Sequence, residues 1–62
     1  MKWKLYPYKD YANAHTIPDV GIHIHEDRDG GKRIASVNVY NVTAEEAWAA
    51  AEAIVSAHNK IA

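Results

Sequence analysis

Apolar and polar residues alternate in two separate parts of the chain, and a period of two is typical of half-buried β-strands. The first part covers residues 1–8, where Trp3 and Leu5 fall on one side of the alternation. The second runs from Val20 to Tyr40 and is interrupted by the sequence DRDGG, whose Asp-Gly and Gly-Gly pairs supply the positive φ that tight hairpins require. The pattern predicts one strand, a long loop and a β-hairpin.

The position of the hairpin turn determines which charges face each other. A turn centred on the Asp-Gly pair at 29–30 places Glu26 opposite Arg33. A turn centred on the Gly-Gly pair at 30–31 places Arg28 opposite Arg33, and like charges directly opposed are unfavourable. We therefore prefer the first register, although both give the same two faces. In the first register six apolar residues pair on the core face: Ile24 with Ala35, Ile22 with Val37, and Val20 with Val39.

The other side of the sheet, called the outer face below, carries polar and aromatic residues. By alternation its members are Lys2, Lys4, Tyr6, Tyr8, His23, His25, Ile34, Ser36, Asn38 and Tyr40. Because one helix shields only one side of a sheet, the outer face is left for solvent or for a partner. A face with several tyrosines, two histidines and an isoleucine indicates an interaction surface.

The last third of the chain has the pattern of one amphipathic helix. Thr43 followed three residues later by Glu46 is a capping box, in which each side chain bonds the backbone N–H of the other residue. At 100° per residue, one stripe consists of Ala47, Ala50, Ala51, Ile54, His58 and Ile61, with Trp48 and Val55 along its border. The opposite side carries Glu45, Glu52, Ser56 and Asn59.

Together these elements predict an α+β fold, a three-stranded antiparallel sheet with one C-terminal helix packed on one face (βββα). Residues 1–62 form a single small domain. A domain of this size buries only about 60% of its unfolded surface and is marginally stable alone, which favours an oligomer or a bound partner.

Composition narrows the class of protein. The absence of cysteine excludes disulfides and thiolate metal sites. No apolar run approaches the roughly 20 residues of a membrane-spanning helix, and the start MKWKLYPYKDY lacks the apolar core of a signal peptide. We therefore expect a soluble, cytoplasmic protein with no membrane partner. Seven basic and eight acidic residues give a formal net charge of -1, which argues against nucleic acid as the partner.

The pair His23 and His25 is the first candidate for chemistry. Alternate residues of a strand share a face, and with Cα atoms about 6.5 to 7 Å apart both imidazoles can converge on one zinc ion. A catalytic zinc site needs a third protein ligand, which would be His15 or Asp27, and no spacing selects either. We therefore interpret the two histidines as part of a binding face, and we expect no metal and no cofactor.

The sequence gives little support to catalysis. It contains no Gly-rich phosphate loop, no cysteine and no nucleophile elbow, and so short a chain does not enclose a deep pocket alone. We expect a protein that is not an enzyme. We interpret Trp48 as a core residue in preference to a partner anchor, and His58 as a residue at the core border that bonds a local carbonyl.

The segment YPYKDYANAH, most of a loop predicted at 6–16, contains three tyrosines. Tyrosine offers a large contact area with little loss of entropy on binding. A loop of this length in so small a domain is usually functional or disordered. We interpret it as a recognition loop.

The closing sequence TAEEAWAAAEAIVSAHNKIA resembles the ends of many small phage and prophage open reading frames, where a capped Ala-rich helix follows a short sheet. This resemblance implies a phage accessory protein that binds and neutralises a host enzyme, a defence complex or its signalling nucleotide. The stretch VTAEEAWAAAEAI is similar to the helix of HicB-type antitoxins, but IPDVG precedes the hairpin here, whereas the related Pro-Asp turn of those proteins stands before the helix. The order of elements also resembles the arm-binding domains of phage integrases, which lay a basic sheet face into DNA, whereas only Lys2 and Lys4 clearly belong to the outer face here.

The leading hypothesis is a non-catalytic binding module, phage-encoded, that inhibits a bacterial host or defence protein in the host cytoplasm. The predicted contact residues are Tyr6, Tyr8, Tyr11, His23, His25, Asn38 and Tyr40. The alternative is a nucleotide or nucleic-acid binder in which tyrosines stack on bases while the histidines, Lys2, Lys4 and Lys9 meet phosphate. A homodimer formed through the same face or through Trp48 is a related expectation.

Overall fold

A computed structural model describes residues 1–11 and 13–62. The bounds of its elements are β1 Trp3–Tyr6, β2 Ile22–Glu26, β3 Arg33–Val37 and α1 Ala44–Ile61. The strands form one antiparallel sheet in the order β1-β2-β3, and α1 packs on one face of it, against β1 and β2. The predicted α+β fold with βββα order is confirmed. In the part of the chain that the structure describes, no helix has both the length and the apolar character needed to cross a membrane.

The core lies between α1 and the first two strands. Its buried residues are Leu5, Ile22 and Ile24 from the sheet and Ala47, Trp48 and Ala51 from the helix. The small alanine side chains let the helix lie close to the sheet. Val20, which alternation placed in the core, is 70% exposed, so that part of the prediction is wrong. The reason is a turn in which the Gly21 N–H donates to the Pro18 carbonyl, so that β2 begins only at Ile22.

The hairpin turn is centred on Asp29 and Gly30, as predicted. The Gly31 N–H closes it by donating to the Arg28 carbonyl at 3.0 Å. Gly30 has a φ of +67°, a left-handed value that favours glycine. Away from the turn the predicted register is confirmed for two pairs, Ile24 with Ala35 and Ile22 with Val37.

A β-bulge next to the turn shifts the register between Ile24 and His25. His25 pairs with Arg33 instead of Ile34, and the predicted pairing of Glu26 with Arg33 is wrong. The Glu26 carboxylate supports the shifted arrangement, because it accepts a backbone N–H of the hairpin at 3.0 Å and the guanidinium of the turn arginine at 2.8 Å. In a bulge two residues of one strand oppose one residue of the other, so Arg33 joins Ile34 on the outer face.

Helix α1 begins with the predicted capping box. Thr43 Oγ1 accepts the Glu46 N–H at 3.2 Å, and the Glu46 carboxylate accepts the Thr43 N–H at 3.1 Å. The buried stripe is rotated from the predicted one toward Trp48. Ile54 is therefore 45% exposed, and Asn59 faces the sheet, both contrary to prediction.

Two long-range contacts explain the rotation of the helix. The Trp48 indole N–H donates to the carbonyls of Asn13 at 3.2 Å and Thr16 at 3.0 Å, in the loop that follows β1. Asn59 exchanges two hydrogen bonds with the backbone of Trp3, at 2.8 and 3.0 Å. Trp48 is fully buried, which confirms its interpretation as a core residue.

The N-terminus is fastened to the far end of α1. His58 stacks on Trp3 with ring centroids 3.5 Å apart, and its Nε2–H donates to the Met1 carbonyl at 2.6 Å. The carbonyl that His58 bonds is thus distant in sequence, and the expectation of a local acceptor is wrong. Lys2, predicted on the outer face, instead donates from Nζ to the Asn59 carbonyl at 2.7 Å.

The loop between β1 and β2 lies along α1. Lys9 pairs with Glu52 at 3.1 Å, and His15 Nδ1 lies 2.9 Å from a carboxylate oxygen of Glu45. The hydrogen bond from His15 lowers the pKa of Glu45. Ala12, which belongs to the predicted recognition loop, lies outside the described residues.

Candidate binding face

The sheet gathers six side chains into two neighbouring rows on the outer face. Cross-strand partners share a face of a sheet, so the register defines each row. One row consists of Lys4, His25 and Arg33, and the other consists of Tyr6, His23 and Ser36. Five of the six belong to the outer face predicted from alternation, and Arg33 is the addition.

His23 is the structural support of this face. It is only 8% exposed, and both of its ring nitrogens have partners. A carbonyl only accepts hydrogen bonds, so Nε2 carries a proton and donates to the Val20 carbonyl at 2.6 Å. In the neutral ring Nδ1 then accepts from the Ser36 hydroxyl at 2.9 Å. His23 therefore ties β2 to β3 and to the turn before β2, and neither nitrogen is free to ligate a metal or contact a partner.

His25 and Tyr6 form the aromatic centre of the face. Their ring centroids lie 5.1 Å apart with an interplanar angle of 40°. His25 Nδ1–H donates to the Gly31 carbonyl at 3.3 Å, while its Nε2 is buried and has no hydrogen-bond partner among residues 1–11 and 13–62. Tyr6 is 53% exposed, so the tyrosine ring is the part of this pair that a partner meets first.

The outer face is cationic on both sides of His25. Lys4 lies across from it on β1 and Arg33 on β3, and Lys4 Nζ lies 3.4 Å from the Arg28 carbonyl. Sequence reasoning missed Arg33 because strict alternation sends it to the core side. The β-bulge opposite His25 turns the Arg33 side chain to the outer face instead. The only sequence signal for this bulge is the cluster of glycines and charges in the turn.

The remaining predicted contact residues fall into two groups. Asn38 and Tyr40 follow β3 and are exposed, while Val39 between them packs against the core, so the predicted alternation continues past the strand. Tyr8 and Tyr11 are also exposed, but they belong to the loop whose salt bridges lead to α1. The structure therefore places Tyr6 and His25 together on the sheet and leaves the loop tyrosines beside the helix.

Glu26, the acidic residue at the end of β2, is paired within the hairpin. The pKa of Glu26 lies below its ordinary value because its carboxylate accepts the Lys32 backbone N–H and the Arg28 side chain. That pairing keeps its charge from opposing Lys4 and Arg33. Within the described residues the surface has no pocket, and no group of three or more His, Cys, Asp or Glu is placed to hold a metal ion.

Comparison of the chain with known protein families, with curated proteins and with solved structures yields no match. The resemblances of the helix to phage proteins, HicB-type antitoxins and integrase domains therefore have no support beyond the sequence stretches that suggested them. Function is argued from the outer face and its residues.

Proposed function

We propose that the chain is a non-catalytic binding module that docks a partner protein on its outer face. The observation that carries the proposal is the placement of Tyr6, half-exposed on the side of the sheet opposite α1 and backed by His25. The helix covers the other side of the sheet, so this aromatic surface is available to a partner.

The face is organised before a partner arrives. His23 joins β2 to β3 through Ser36, and the ring of His25 packs against Tyr6. A rigid aromatic side chain loses little entropy on binding, so more of its contact energy appears as affinity. Tyrosine and arginine are also the residue types enriched among interface hot spots, and this face presents one of each, Tyr6 on β1 and Arg33 on β3.

The charge of the face indicates the chemistry of the partner. Lys4 and Arg33 lie in the same row, and the nearby Glu26 is paired within the hairpin. A flat cationic and aromatic surface fits an acidic protein surface with an apolar centre. The resemblance of α1 to phage proteins makes a bacterial protein the first partner to test, with inhibition by coverage of its surface as the mode of action.

Affinity capture tests this proposal. The tagged protein is incubated with nuclease-treated bacterial lysate, washed at moderate salt, and the retained proteins are identified by mass spectrometry. Tyr6→Ala should weaken capture of a retained protein by about tenfold or more, which is about 1.4 kcal/mol. Tyr11→Ala is the matched control, since it removes an exposed tyrosine from the loop beside α1.

Circular dichroism of both variants checks that the fold is intact. Equal capture by Tyr6→Ala and by the unaltered protein would show that the outer face is not the docking surface. Loss of capture by Tyr11→Ala alone would move the site to the loop.

A second candidate function is the binding of nucleotides or nucleic acid on the same face. Arg33 favours this second function, because it adds a second cation, beside Lys4, to a face that also carries the ring of Tyr6. An aromatic ring can stack on a base while the cations contact phosphate. Anisotropy of a labelled single-stranded oligonucleotide, titrated at two salt concentrations, tests it. Binding that falls steeply with salt, and less steeply in Arg33→Ala, supports this function, whereas no binding at low salt excludes it.

A further inference from the structure

The two edges of the sheet differ in the hydrogen bonding of their outward-facing backbone groups. At the β1 edge, the Trp3 N–H donates to Asn59 Oδ1 at 2.8 Å, and Asn59 Nδ2 donates to the Trp3 carbonyl at 3.0 Å. The side-chain amide thus occupies the backbone groups of β1 as a neighbouring strand would. Pairing of a further strand is therefore blocked at Trp3, the first residue of β1.

The β3 edge is open. Ala35 is exposed although its partner Ile24 on the middle strand is buried, because α1 packs over β1 and β2. Asn59 marks the β1 side of the helix, and the flank on the other side of the buried stripe carries the exposed residues Ile54 and Ile61. Exposed apolar side chains therefore occur both on β3 and on the helix flank that lies away from β1.

The hydrogen bonds around the hairpin show which backbone groups face the open edge. The Glu26 N–H bonds the Lys32 carbonyl beyond the turn, whereas the Asp27 N–H bonds the Lys2 carbonyl on the β1 side. Even-numbered residues of β2 therefore bond toward β3, so Ala35 and its neighbour two positions on bond back to β2. The N–H and carbonyl of the residue between them, 36, point outward.

We propose that a second copy of this chain pairs with β3 at this edge, antiparallel and about a two-fold axis through Ser36. In that register Ala35 faces Val37 of the second copy, both on the core side, and the β-bulge at Arg33 and Ile34 lies outside the paired segment 35–37. Residues 34–38 carry no charge, so the segment opposes itself without repulsion. The segment can therefore pair with a copy of itself, and this is the reason for proposing a second copy of the chain as the partner. In a two-fold interface each chain contributes the same strand and the same helix flank.

The size of the chain is compatible with such a dimer. A stable interface at the small end of the range buries about 600 Å² on each partner, which is about a seventh of the 4388 Å² surface of one chain. The six-stranded sheet would carry both helices on one side and would leave both outer faces free. The inference is therefore independent of the partner proposed for the outer face.

Sedimentation velocity over a wide range of protein concentration tests the proposal. The unaltered chain should dimerise, and Ala35→Lys should raise the dimer dissociation constant about tenfold or more, because it places a charge opposite the apolar Val37 of the second copy and diagonally across from the second introduced lysine. Ala53→Lys is the matched control, because it adds the same charge at an exposed position on the side of α1 away from the sheet, and it should dimerise like the unaltered chain.

Amide hydrogen exchange of the unaltered chain provides a test without a variant. The Ser36 amide should exchange more slowly as the concentration rises through the dimerisation range, while the Ala35 amide, bonded to β2, should be protected throughout. A chain that stays monomeric at near-millimolar concentration, or a dimer that persists in Ala35→Lys with a Ser36 amide insensitive to concentration, would overturn the proposal.

Discussion

Replacement of Trp48 by phenylalanine tests whether one side chain joins the loop to the core. Trp48 is fully buried, and its indole N–H is shared by the carbonyls of Asn13 and Thr16. In the Trp48→Phe variant the Asn13 carbonyl still accepts a hydrogen bond, from the Thr16 N–H at 3.1 Å. The loss therefore falls mainly on the carbonyl of Thr16.

The expected magnitude combines two effects. Loss of the shared hydrogen bond should destabilise the fold by about 1 to 2 kcal/mol. The smaller ring leaves a void in the core and adds about 1 to 2 kcal/mol. Since a domain of 62 residues has a free energy of unfolding of roughly 3 to 9 kcal/mol, Trp48→Phe should remove a large fraction of it. Tm should fall by about 8 to 30 °C.

Two assays check this prediction. Thermal denaturation followed by circular dichroism gives the change in Tm, and limited digestion with chymotrypsin reports release of the loop through cleavage after Tyr8. Trp3→Phe is the matched control, because it removes the same atoms from a half-buried ring. If Trp48→Phe shifts Tm no more than Trp3→Phe and leaves the cleavage rate unchanged, the indole does not fasten the loop.

Three further predictions concern the helix, the hairpin charge and the hairpin backbone. Thr43→Ala removes the capping box and should lower the free energy of unfolding by about 1 kcal/mol in urea denaturation, whereas Thr43→Ser should change it little. The folded-state pKa of Glu26 is depressed below its ordinary 4.5 by the backbone N–H of Lys32 and by Arg28, so its stabilisation is present above the unfolded-state pKa and is lost as the pH falls through the lower folded-state pKa. Urea midpoints measured across that acid range should therefore fall less in Glu26→Gln, and equal slopes would remove Glu26 from the explanation. In Gly31→Ala the added methyl group would overlap the Glu26 backbone carbonyl, so Tm should fall much more than in Gly30→Ala, where the added group meets open space and only the left-handed φ is strained.

The sequence was sufficient to predict those features that depend on local pattern. Period-two alternation placed Leu5, Ile22 and Ile24 in the core, and the spacing of Thr43 and Glu46 located the start of the helix. These signals are short in range, because neighbouring residues determine which face a side chain takes and how a helix end is satisfied.

The errors arose where contacts distant in sequence override the local pattern. The helical wheel placed Asn59 opposite the core, but pairing of its amide with the backbone of Trp3 turns it to the sheet. Alternation placed Lys2 on the outer face, but the helix end attracts its ammonium group. Arg33 reached the outer face through a bulge, which depends on the geometry of the turn and not on hydrophobic periodicity.

In the candidate site, too, the features set by local pattern were predicted and those set by distant contacts were not. Alternation placed Tyr6 and His25 on the outer face, but the pairing of β1 with β2 that brings their rings together was not predicted. The burial of His23 was not predicted either, because it depends on a hydrogen bond to the carbonyl of Val20 in a turn that alternation had extended as a strand. His23, predicted as a contact residue, is therefore mostly buried within the sheet.

The Asn59 amide that occupies the β1 edge also limits how large an assembly can become. Growth of a sheet into a fibre requires each chain to offer two edges, one for each neighbour, so that addition can continue without end. At Trp3 the chain's own side chain occupies the β1 edge, so a strand that adds there must first displace Asn59, whereas no such bond blocks the β3 edge among the described residues. These two hydrogen bonds therefore oppose growth of the proposed dimer into a longer sheet, and Asn59→Ala should increase aggregation with time and concentration, as light scattering would show.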